Sequence, residues 1–575
     1  MYVPMMAELT EAIHRAGAKC TINISAGGGA QSLGFPYDKG SQGVYSETRV
    51  APGTLPSRFV GAPVRPLTVD EIHTMVDCFG WSCFNAKRAG FDAVTIHAIG
   101  GYLISEFLTP WFNNRTDEYG GSLENRYRLL HELIENVQAK CGRDFPIIVR
   151  WSVDEFLGEA GRQVEDSKIM AQWMERDGVA ALDCEAAVFE SVEWMIPSIY
   201  QPKATLAYLA KEIKNVVSIP VFAQGRIFDP EVAEEVLASG QADFVSLSRA
   251  WIAEPNWVRK IEQGDEEGLR RCINCNYCIG KRVFAQMPLR CTFNPIAGRE
   301  SRFPKGNVGK ADVKKNVAII GAGPAGLEAA YIAAQRGHNV DIYEKSGRLC
   351  GGQLAAASSS PCKDILQHIP DFFSVQLDRM PNVTVHLNSP ITAENAAAVK
   401  ADTVLICTGA EPLLPGIPGI EKAVVANDVL LHRAEVKGHV VICGGGQVGV
   451  ETALELIERG CSVSIIDMLP DVILKEELMT RIVMMKKLGA ANARILCNKK
   501  ICRITDEGVE TEPVDGGEKE FVKADAVIAA FGTKPVNRLA ALFEDRAEVM
   551  VIGDAKAPDT ITAAIHDGFF AALDI

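Results

Sequence analysis

Four cysteines fall within one short stretch, CINCNYCIGKRVFAQMPLRC (272–291). Their spacing, C-x2-C-x2-C-x12-C, is typical of the thiolate ligands of a 4Fe–4S cluster, with three of them in one tight turn. Structural zinc is the alternative, although zinc ribbons usually present two separated CxxC pairs. The predicted metal ligands are Cys272, Cys275, Cys278 and Cys291.

The second half of the chain contains two segments that share one spacing of glycines and acid. They read NVAIIGAGPAGLEAAYIAAQRGHNVDIYEKS and HVVICGGGQVGVETALELIERGCSVSIIDML, and in both an acid lies 23 positions after the first glycine. Such glycines let the backbone approach a pyrophosphate at a helix N-terminus, while the acid accepts ribose hydroxyls. This internal repeat predicts two dinucleotide sites, with the binding residues Gly321, Gly323, Ala325, Gly326 and Glu344 in the first and Gly444, Gly446, Gly449 and Asp467 in the second.

The two sites are predicted to bind different nucleotides. The first segment continues into GRLCGGQL, which contains Gln353, and a Gly-Asp pair, Gly553 and Asp554, returns near the end of the chain. Late Gly-Asp pairs of this kind usually contact the phosphate–ribityl arm of a flavin, which favours FAD in the first site. The residues after Asp467 are Met-Leu-Pro-Asp, with no arginine to hold a 2′-phosphate, so the second site favours NADH over NADPH.

Residues 1 to about 255 alternate strand-like and helix-like stretches. Thr68 and Glu71 form a predicted capping box at the start of one helix, and Gly90 is its predicted stop. Repeated βα units predict a parallel sheet, whose commonest large form is a closed barrel. The six strand candidates are CTINIS (20–25), AVTIHA (93–98), PIIVRWSV (146–153), AALDCEA (180–186), IPVFAQG (219–225) and DFVSLS (243–248).

An eight-stranded barrel needs two more strands, and the chain opens on a helix near residues 4–16. We therefore expect the first two βα units to be missing. The predicted fold class is α/β, a (β/α)8 TIM barrel incomplete at its N-terminus, followed by two Rossmann-like domains for FAD and NAD(P). The predicted domains are 1–260 for the barrel, 261–312 for the cluster segment and linker, 313–430 and 521–575 for the two parts of the FAD-binding domain, and 431–520 for the NAD(H)-binding domain.

The net charge, the first residues and the number of cysteines indicate which partners and which cellular location fit the chain. The formal net charge of −14 argues against nucleic acid and against anionic membrane surfaces as partners. The first residues, MYVPMMAELTEAIHRAG, lack the basic start and long apolar core of a signal peptide. Sixteen cysteines are too dilute for a disulfide scaffold in a chain of 575 residues, which predicts reduced thiols and a cytoplasmic location.

The segment GFDAVTIHAIGGYLISEFLTPWFNNRTDEYGGSLENRYR (90–128) resembles the barrel of the old yellow enzyme family. With the four cysteines and the two nucleotide repeats, the chain is similar to the iron–sulfur members of that family. These are of the 2,4-dienoyl-CoA reductase, 2-enoate reductase and trimethylamine dehydrogenase type. The resemblance implies FMN in the barrel, an adjacent 4Fe–4S cluster, and FAD and NADH in the second half. It also implies that electrons pass from NADH to FAD, to the cluster, to FMN and to an activated alkene.

The same resemblance implies roles for individual residues. Tyr102 matches the family's proton donor, and His97 would present a donor to the substrate carbonyl or the flavin. Active sites of such barrels lie at the carboxyl ends of the strands, and the glycines between these two residues would let the backbone turn there. The implied FMN-binding residues are Asn23, where relatives usually have glutamine, Arg150, which would face the flavin ring, and Gly225, Arg226, Ser248 and Arg249, which would hold the phosphate.

These implications predict an NADH-dependent ene reductase acting on a small unsaturated carbonyl, enoate or acyl-CoA compound. Gly100 replaces the second carbonyl donor of many relatives, and the loop 27–66 is expected to help shape the pocket. An amine dehydrogenase and a diaphorase with a non-functional barrel are the alternatives. Homo-oligomers are possible, since open sheet edges would promote association.

Overall fold

The structure is a computed structural model, which describes residues 2–32, 49–360 and 362–575. The chain divides into two compact units, Met1–Pro197 with Pro202–Leu247, and Ser198–Gln201 with Ser248–Ile575. Residues 33–48, in the loop predicted to shape the pocket, lie outside the described residues. Within the described ranges, no helix is both long enough and apolar enough to cross a membrane.

The first unit contains alternating strands and helices. Its strands are β1 (Thr21–Ile24), β2 (Val50–Ala51), β3 (Arg65–Pro66), β4 (Ala93–Ala98), β5 (Ile147–Ser152), β6 (Ala181–Glu185), β7 (Val221–Ala223) and β8 (Phe244–Val245). Its helices are α1 (Tyr2–Arg15), α2 (Val69–Arg88), α3 (Leu103–Leu108), α4 (Leu123–Cys141), α5 (Val164–Arg176), α6 (Val192–Met195), α7 (Ala207–Lys214) and α8 (Pro230–Ala238).

All six predicted barrel strands are present and form one parallel sheet. The strand order is β1-β4-β5-β6-β7-β8, with β1 and β8 at its edges. One face of the central strands is apolar, and its residues Val94, Ile96 and Val149 are fully buried. The parallel order places the carboxyl ends of all six strands at one edge of the sheet.

The capping box predicted before α2 is present. Thr68 Oγ1 accepts a hydrogen bond from the Glu71 amide at 3.2 Å, and the Thr68 amide donates to Glu71 Oε2 at 2.9 Å. Helix α2 ends at Arg88, and Gly90 follows with φ +90°. A cap of this kind stabilises a helix by about 1 kcal/mol, so the local sequence defines where this helix begins.

The second unit contains the remaining elements. Its helices are α9 (Arg249–Ala253), α10 (Trp257–Glu262), α11 (Pro324–Arg336), α12 (Gln353–Ser359), α13 (His368–Asp378), α14 (Ala426–Leu430), α15 (Gln447–Glu458), α16 (Leu478–Ala490) and α17 (Ile561–Asp574). Its strands are β9 (Asn316–Ile320), β10 (Asn339–Tyr343), β11 (Val383–His386), β12 (Thr403–Ile406), β13 (Ala410–Pro412), β14 (Val424–Val425), β15 (His439–Cys443), β16 (Ser462–Ile466), β17 (Arg494–Leu496), β18 (Lys499–Thr505), β19 (Gly508–Pro513), β20 (Glu520–Lys523), β21 (Ala526–Ala529), β22 (Thr533–Pro535) and β23 (Glu548–Val551).

Each glycine repeat lies in its own five-stranded parallel sheet. The first sheet has the order β11-β10-β9-β12-β23 and the second has the order β14-β21-β15-β16-β17. The second sheet also contains two strands outside the predicted bounds 431–520. Strand β14 lies before residue 431 and β21 lies after residue 520, and the two pair with each other in this sheet. Strand β14 has only two residues, and β21 follows an antiparallel meander of β18, β19 and β20, so neither has a local signal for its sheet.

The first compact unit ends earlier than the predicted barrel bound of residue 260. Residues 248–260, which include α9 and the start of α10, belong to the second unit. In that unit Asn294 donates to the carbonyls of Ile252 and Ala253 at 3.3 and 3.1 Å. These hydrogen bonds join α9 to the chain directly after Cys291.

Candidate active site and cofactor sites

The two predicted catalytic residues lie together at the carboxyl end of β4. The chain leaves His97 and turns through Gly100 and Gly101, with φ values of +71° and +75°. A side chain is unfavourable in this left-handed conformation, and a Cβ on Gly100 would lie 3.3 Å from Met195 Cε. The turn places Tyr102 at the start of α3, with its ring centroid 5.2 Å from that of His97.

The contact with Asn23 favours one tautomer of His97. Asn23 Nδ2 lies 2.8 Å from His97 Nδ1, and an amide NH2 group can only donate, which favours a lone pair on Nδ1 and the hydrogen on Nε2. Burial, together with the charge of Arg150, lowers the pKa of His97 to about 4. His97 is therefore neutral at pH 7 and donates through Nε2.

Tyr102 is a neutral acid in the same environment. Its side chain is half-buried, and this burial raises the pKa of its hydroxyl above the usual value. The ring of Phe189 meets it edge-on at 5.5 Å between centroids. A phenol that remains protonated near neutral pH can hydrogen-bond to a developing enolate and then protonate it.

Arg150, at the carboxyl-terminal part of β5, contacts side chains of the neighbouring strands. Its Nη2 donates to Glu185 and to Gln224 Oε1, the latter at 3.3 Å, and its Nε lies 3.5 Å from Asp183 Oδ2. Burial opposes the guanidinium charge, but Glu185 and Asp183 raise its pKa. Asp183, Glu185 and Gln224 were not predicted from the sequence, although acids at alternate positions of the strand ALDCE indicate that both share one face of the sheet.

The predicted phosphate-binding residues fall in two compact units. Gly225 and Arg226 follow β7 with φ values of +97° and +59°, and Arg226 is buried. Arg249, preceded by Ser248 at the N-terminus of α9, lies in the other unit and donates from Nη1 to Asn274 Oδ1 at 2.6 Å and to Asn276. Their common phosphate site stays a prediction.

Of the four predicted metal ligands, Cys278 is buried and the other three cysteines are half-buried. Burial raises all four pKa values, that of Cys278 to about 12 and that of Cys291 to about 11. The turn that carries the first three places Asn274 and Asn276 in left-handed conformations, and Arg249 binds both asparagines. Four neighbouring thiols, shielded in part from solvent, favour a bound metal, because thiolates without a partner are costly to desolvate.

In the described part of the chain, one set of three His, Cys, Asp or Glu ligand atoms lies within 4.8 Å of one another, namely those of His14, Cys20 and Asp92. The choice of an iron–sulfur cluster over zinc at the four cysteines stays a prediction.

Hydrogen bonds account for the convergence of His14, Cys20 and Asp92. Asp92 Oδ2 lies 2.7 Å from His14 Nε2 and accepts from the Cys20 amide at 2.9 Å. Asp92 Oδ1 accepts from Lys19 Nζ at 2.9 Å. The carboxylate oxygens are thus already engaged, and this cluster joins the end of α1 to the starts of β1 and β4.

The first glycine segment forms a nucleotide cradle between β9 and α11. Gly321 has φ +111°, and a Cβ there would collide with the Cys407 carbonyl. Gly323 precedes α11, and a Cβ there would meet no atom within 4 Å, so open space lies at the helix N-terminus. Glu344, at the end of β10, accepts from the Ala322 amide at 2.9 Å. The residues present fit a dinucleotide pyrophosphate and ribose.

The second glycine segment repeats this geometry between β15 and α15. Gly444 has φ +114° and its missing Cβ would collide with the Ala530 carbonyl, while Gly446 faces open space before the helix. Asp467, at the end of β16, accepts from the Gly445 amide at 2.5 Å. The internal repeat of the sequence is therefore a repeat of structure.

The remaining predicted nucleotide residues support these cradles. Gly326 and Gly449 each approach the carbonyl of the first glycine in their own motif, which allows close packing of helix on strand. Gln353 Oε1 accepts from Asn427 Nδ2 at 2.8 Å. The late Gly-Asp pair lies beside the first cradle, since a Cβ on Gly553 would be 2.7 Å from Ala325 Cβ. Burial raises the pKa of the neighbouring Asp554.

Two family profiles match the two halves of the chain. Residues 2–267 match the NADH:flavin oxidoreductase / NADH oxidase family, and residues 315–571 match the pyridine nucleotide-disulphide oxidoreductases. An NADH oxidase from Thermoanaerobacter brockii is 39% identical over 100% of this chain and 87% of the relative. A cinnamate reductase from Clostridium sporogenes is 33% identical over 99% of this chain and 86% of the relative.

A solved structure has the same architecture. The complex of 2-naphthoyl-CoA reductase with 2-naphthoyl-CoA matches with a TM-score of 0.90 and 28% identity, over 100% of this chain and 87% of that chain. The identity over full length and the two matched domains agree with the barrel, the glycine cradles and the four-cysteine segment. The chain belongs to the NADH:flavin oxidoreductase / NADH oxidase family, the iron–sulfur flavoproteins of old yellow enzyme type.

Proposed function

We propose that this protein is an NADH-dependent ene reductase that reduces the C=C bond of an α,β-unsaturated carbonyl, enoate, or enoyl- or dienoyl-CoA compound. The observation that supports this most is the pairing of His97 and Tyr102 across the glycine turn at the end of β4. One is a neutral donor and the other a neutral acid, the two groups that conjugate reduction of an activated alkene requires. Relatives named cinnamate reductase and 2-naphthoyl-CoA reductase support the substrate class.

His97 would bind and polarise the substrate. Its Nε2–H donates to the carbonyl or carboxyl oxygen of the substrate, while Asn23 prevents the ring from turning its lone pair towards that oxygen. As hydride adds at Cβ, negative charge develops on this oxygen, and the bond from Nε2 strengthens. Because the ring is neutral at pH 7, it supplies a hydrogen bond without delivering its own proton.

Tyr102 would complete the reaction by protonating Cα. The new C–H bond takes the phenolic proton, and the tyrosinate then regains a proton from solvent. Burial raises its pKa, so the tyrosine holds its proton until charge develops on the substrate. The edge contact with Phe189 limits where the phenol ring can move.

The chain's other sites would hold the cofactors. FMN would lie at the strand ends near Asn23 and Arg150, FAD in the first glycine cradle, NADH in the second, and a 4Fe–4S cluster on the four cysteines. When bound, these groups would supply hydride and single-electron transfer from NADH through FAD and the cluster to FMN and the substrate. Asp467, with no arginine after it, supports NADH over NADPH.

Anaerobic assays with NADH and a panel of enoates, enones and enoyl-CoA thioesters test this function. Tyr102→Phe should lower alkene reduction by about 10²–10⁴-fold, the usual contribution of a general acid, and leave NADH-dependent reduction of ferricyanide intact. Tyr208→Phe, on an exposed tyrosine of the same unit, is the matched control. Ferricyanide reduction without any alkene turnover would instead indicate a diaphorase. Amine oxidation without any NADH activity would indicate an amine dehydrogenase.

A further inference from the structure

The guanidinium of Arg150 lies against two carboxyl groups of the next strand. Asp183 and Glu185 are two residues apart on β6, so their side chains share the face to which Arg150 points. Glu185 accepts a hydrogen bond from Arg150 Nη2, and Asp183 Oδ2 lies 3.5 Å from Arg150 Nε. The side chain of Glu185 is 7% exposed and that of Asp183 is 14% exposed, whereas that of Arg150 is 31% exposed.

Neighbouring strands hold Asp183 in this position. Gln224, which follows β7, accepts from Arg150 Nη2 and donates from Nε2 to Asp183 Oδ1, both at 3.3 Å. Ser246, which follows β8, donates to the same Asp183 oxygen at 3.2 Å. Side chains in β5 and β6 and directly after β7 and β8 therefore form one network around the guanidinium.

This network contains more negative charge than positive charge. Burial raises the pKa of Asp183 to about 6, so this carboxyl is still largely ionised at pH 7. Two carboxylates then face one guanidinium. One guanidinium balances one carboxylate, so the second carboxylate leaves this partly buried network with a net negative charge, which is costly to desolvate. Arg150 Nη1 also has no protein partner in the described part of the chain.

We propose that Asp183 and Glu185 offset the charge of Arg150 at the flavin face of the barrel and thereby lower the reduction potential of bound FMN. This rests on the proposed function, in which Arg150 faces the flavin ring. A lone guanidinium would stabilise the negative charge of the reduced flavin, and two adjacent carboxylates weaken that stabilisation. The bound flavin is then a stronger hydride donor, which suits poorly activated acceptors such as enoates with a free carboxylate.

The test is the two-electron midpoint potential of FMN in the holoenzyme, measured by anaerobic spectroelectrochemistry after its FMN content is determined. Asp183→Asn and Glu185→Gln each remove a negative charge at nearly constant shape. Each should favour the reduced flavin at least tenfold, a positive shift of about 30 mV for two electrons. Glu165→Gln removes an equal charge at an exposed position of α5 and should leave the potential unchanged.

A conservative variant separates charge from shape. Glu185→Asp keeps the carboxylate and should keep the potential close to that of the unmodified protein, even where its folding is less stable. Equal potentials in all variants would overturn the proposal, as would a shift in Glu185→Asp as large as that in Glu185→Gln. Unmodified protein that binds no FMN would refute the proposed cofactor use itself, which is a different failure that the FMN content reveals before any potential is measured.

Discussion

Replacing Asn23 by aspartate should reverse the hydrogen-bonding direction at His97. In the native protein, Asn23 Nδ2 donates to His97 Nδ1 at 2.8 Å, which leaves the hydrogen on Nε2. A carboxylate can only accept, so in Asn23→Asp the neutral ring moves its hydrogen to Nδ1. The Nε2 atom then presents a lone pair to the substrate oxygen, and the substrate loses a donor at an almost unchanged position.

The size of the effect follows from the charge state of the ring. With a pKa of about 4, roughly one His97 ring in a thousand is protonated at pH 7, so the neutral Nε2–H is the donor. Removing one donor that stabilises developing oxyanion charge costs about 10²–10³ in kcat. We expect a loss of this size in Asn23→Asp at pH 8.5.

The dependence of alkene reduction on pH should differ between Asn23→Asp and the native enzyme. The new carboxylate raises the pKa of His97, so a lower pH protonates the ring and restores its Nε2–H. Steady-state alkene reduction by Asn23→Asp should therefore rise from pH 8.5 to pH 6, while the native enzyme shows no such rise. Combining it with His97→Ala should add little further loss at pH 8.5. Activity within threefold of native at pH 8.5, or fully additive losses in the double variant, would show that Asn23 does not set the tautomer of His97.

The remaining predictions address the metal, the second nucleotide and acid stability. Cys278→Ser should lose most of its iron and the visible absorbance of the cluster, whereas Cys78→Ser, at an exposed cysteine, should lose neither. Gly444→Ala should raise the KM for NADH at least tenfold, because its Cβ would strike the Ala530 carbonyl, whereas Gly489→Ala in α16 should leave it unchanged. The pKa of His97 is about 4 in the folded protein and about 6.5 in the unfolded protein. The unfolded protein therefore binds a proton more readily, and the free energy of unfolding decreases as the pH falls from about 6.5 towards 4. Between pH 7 and pH 5 the Tm should fall more in the native protein than in His97→Asn.

Local sequence signals were sufficient for the elements that form the sites. Runs of apolar residues indicated the six barrel strands, and the pair Thr68 and Glu71 indicated the start of α2. The glycine spacing indicated the two nucleotide cradles. Each of these signals lies within a few residues of sequence. Tyr102 and His97 were paired from one such segment, since the glycine turn between them determines their separation.

The Arg150 network depends on strand register, which short patterns do not define. Arg150 meets Asp183 because β5 and β6 pair in parallel at those positions, and Gln224 and Ser246 reach the same carboxylate from two further strands. Each is an ordinary polar residue in its own segment. Long-range pairing also explains why β14 and β21 joined the second nucleotide sheet beyond the predicted bounds.

Cofactor analysis of anaerobically purified protein is the decisive test of the proposed electron path from NADH to an alkene. Flavins are released and separated, and iron and zinc are counted per chain. We expect about one FMN, one FAD and four iron atoms per chain, with little zinc. Zinc in place of iron, or FAD and iron without FMN, would contradict it, because the chain would then lack the electron path to an alkene in its barrel.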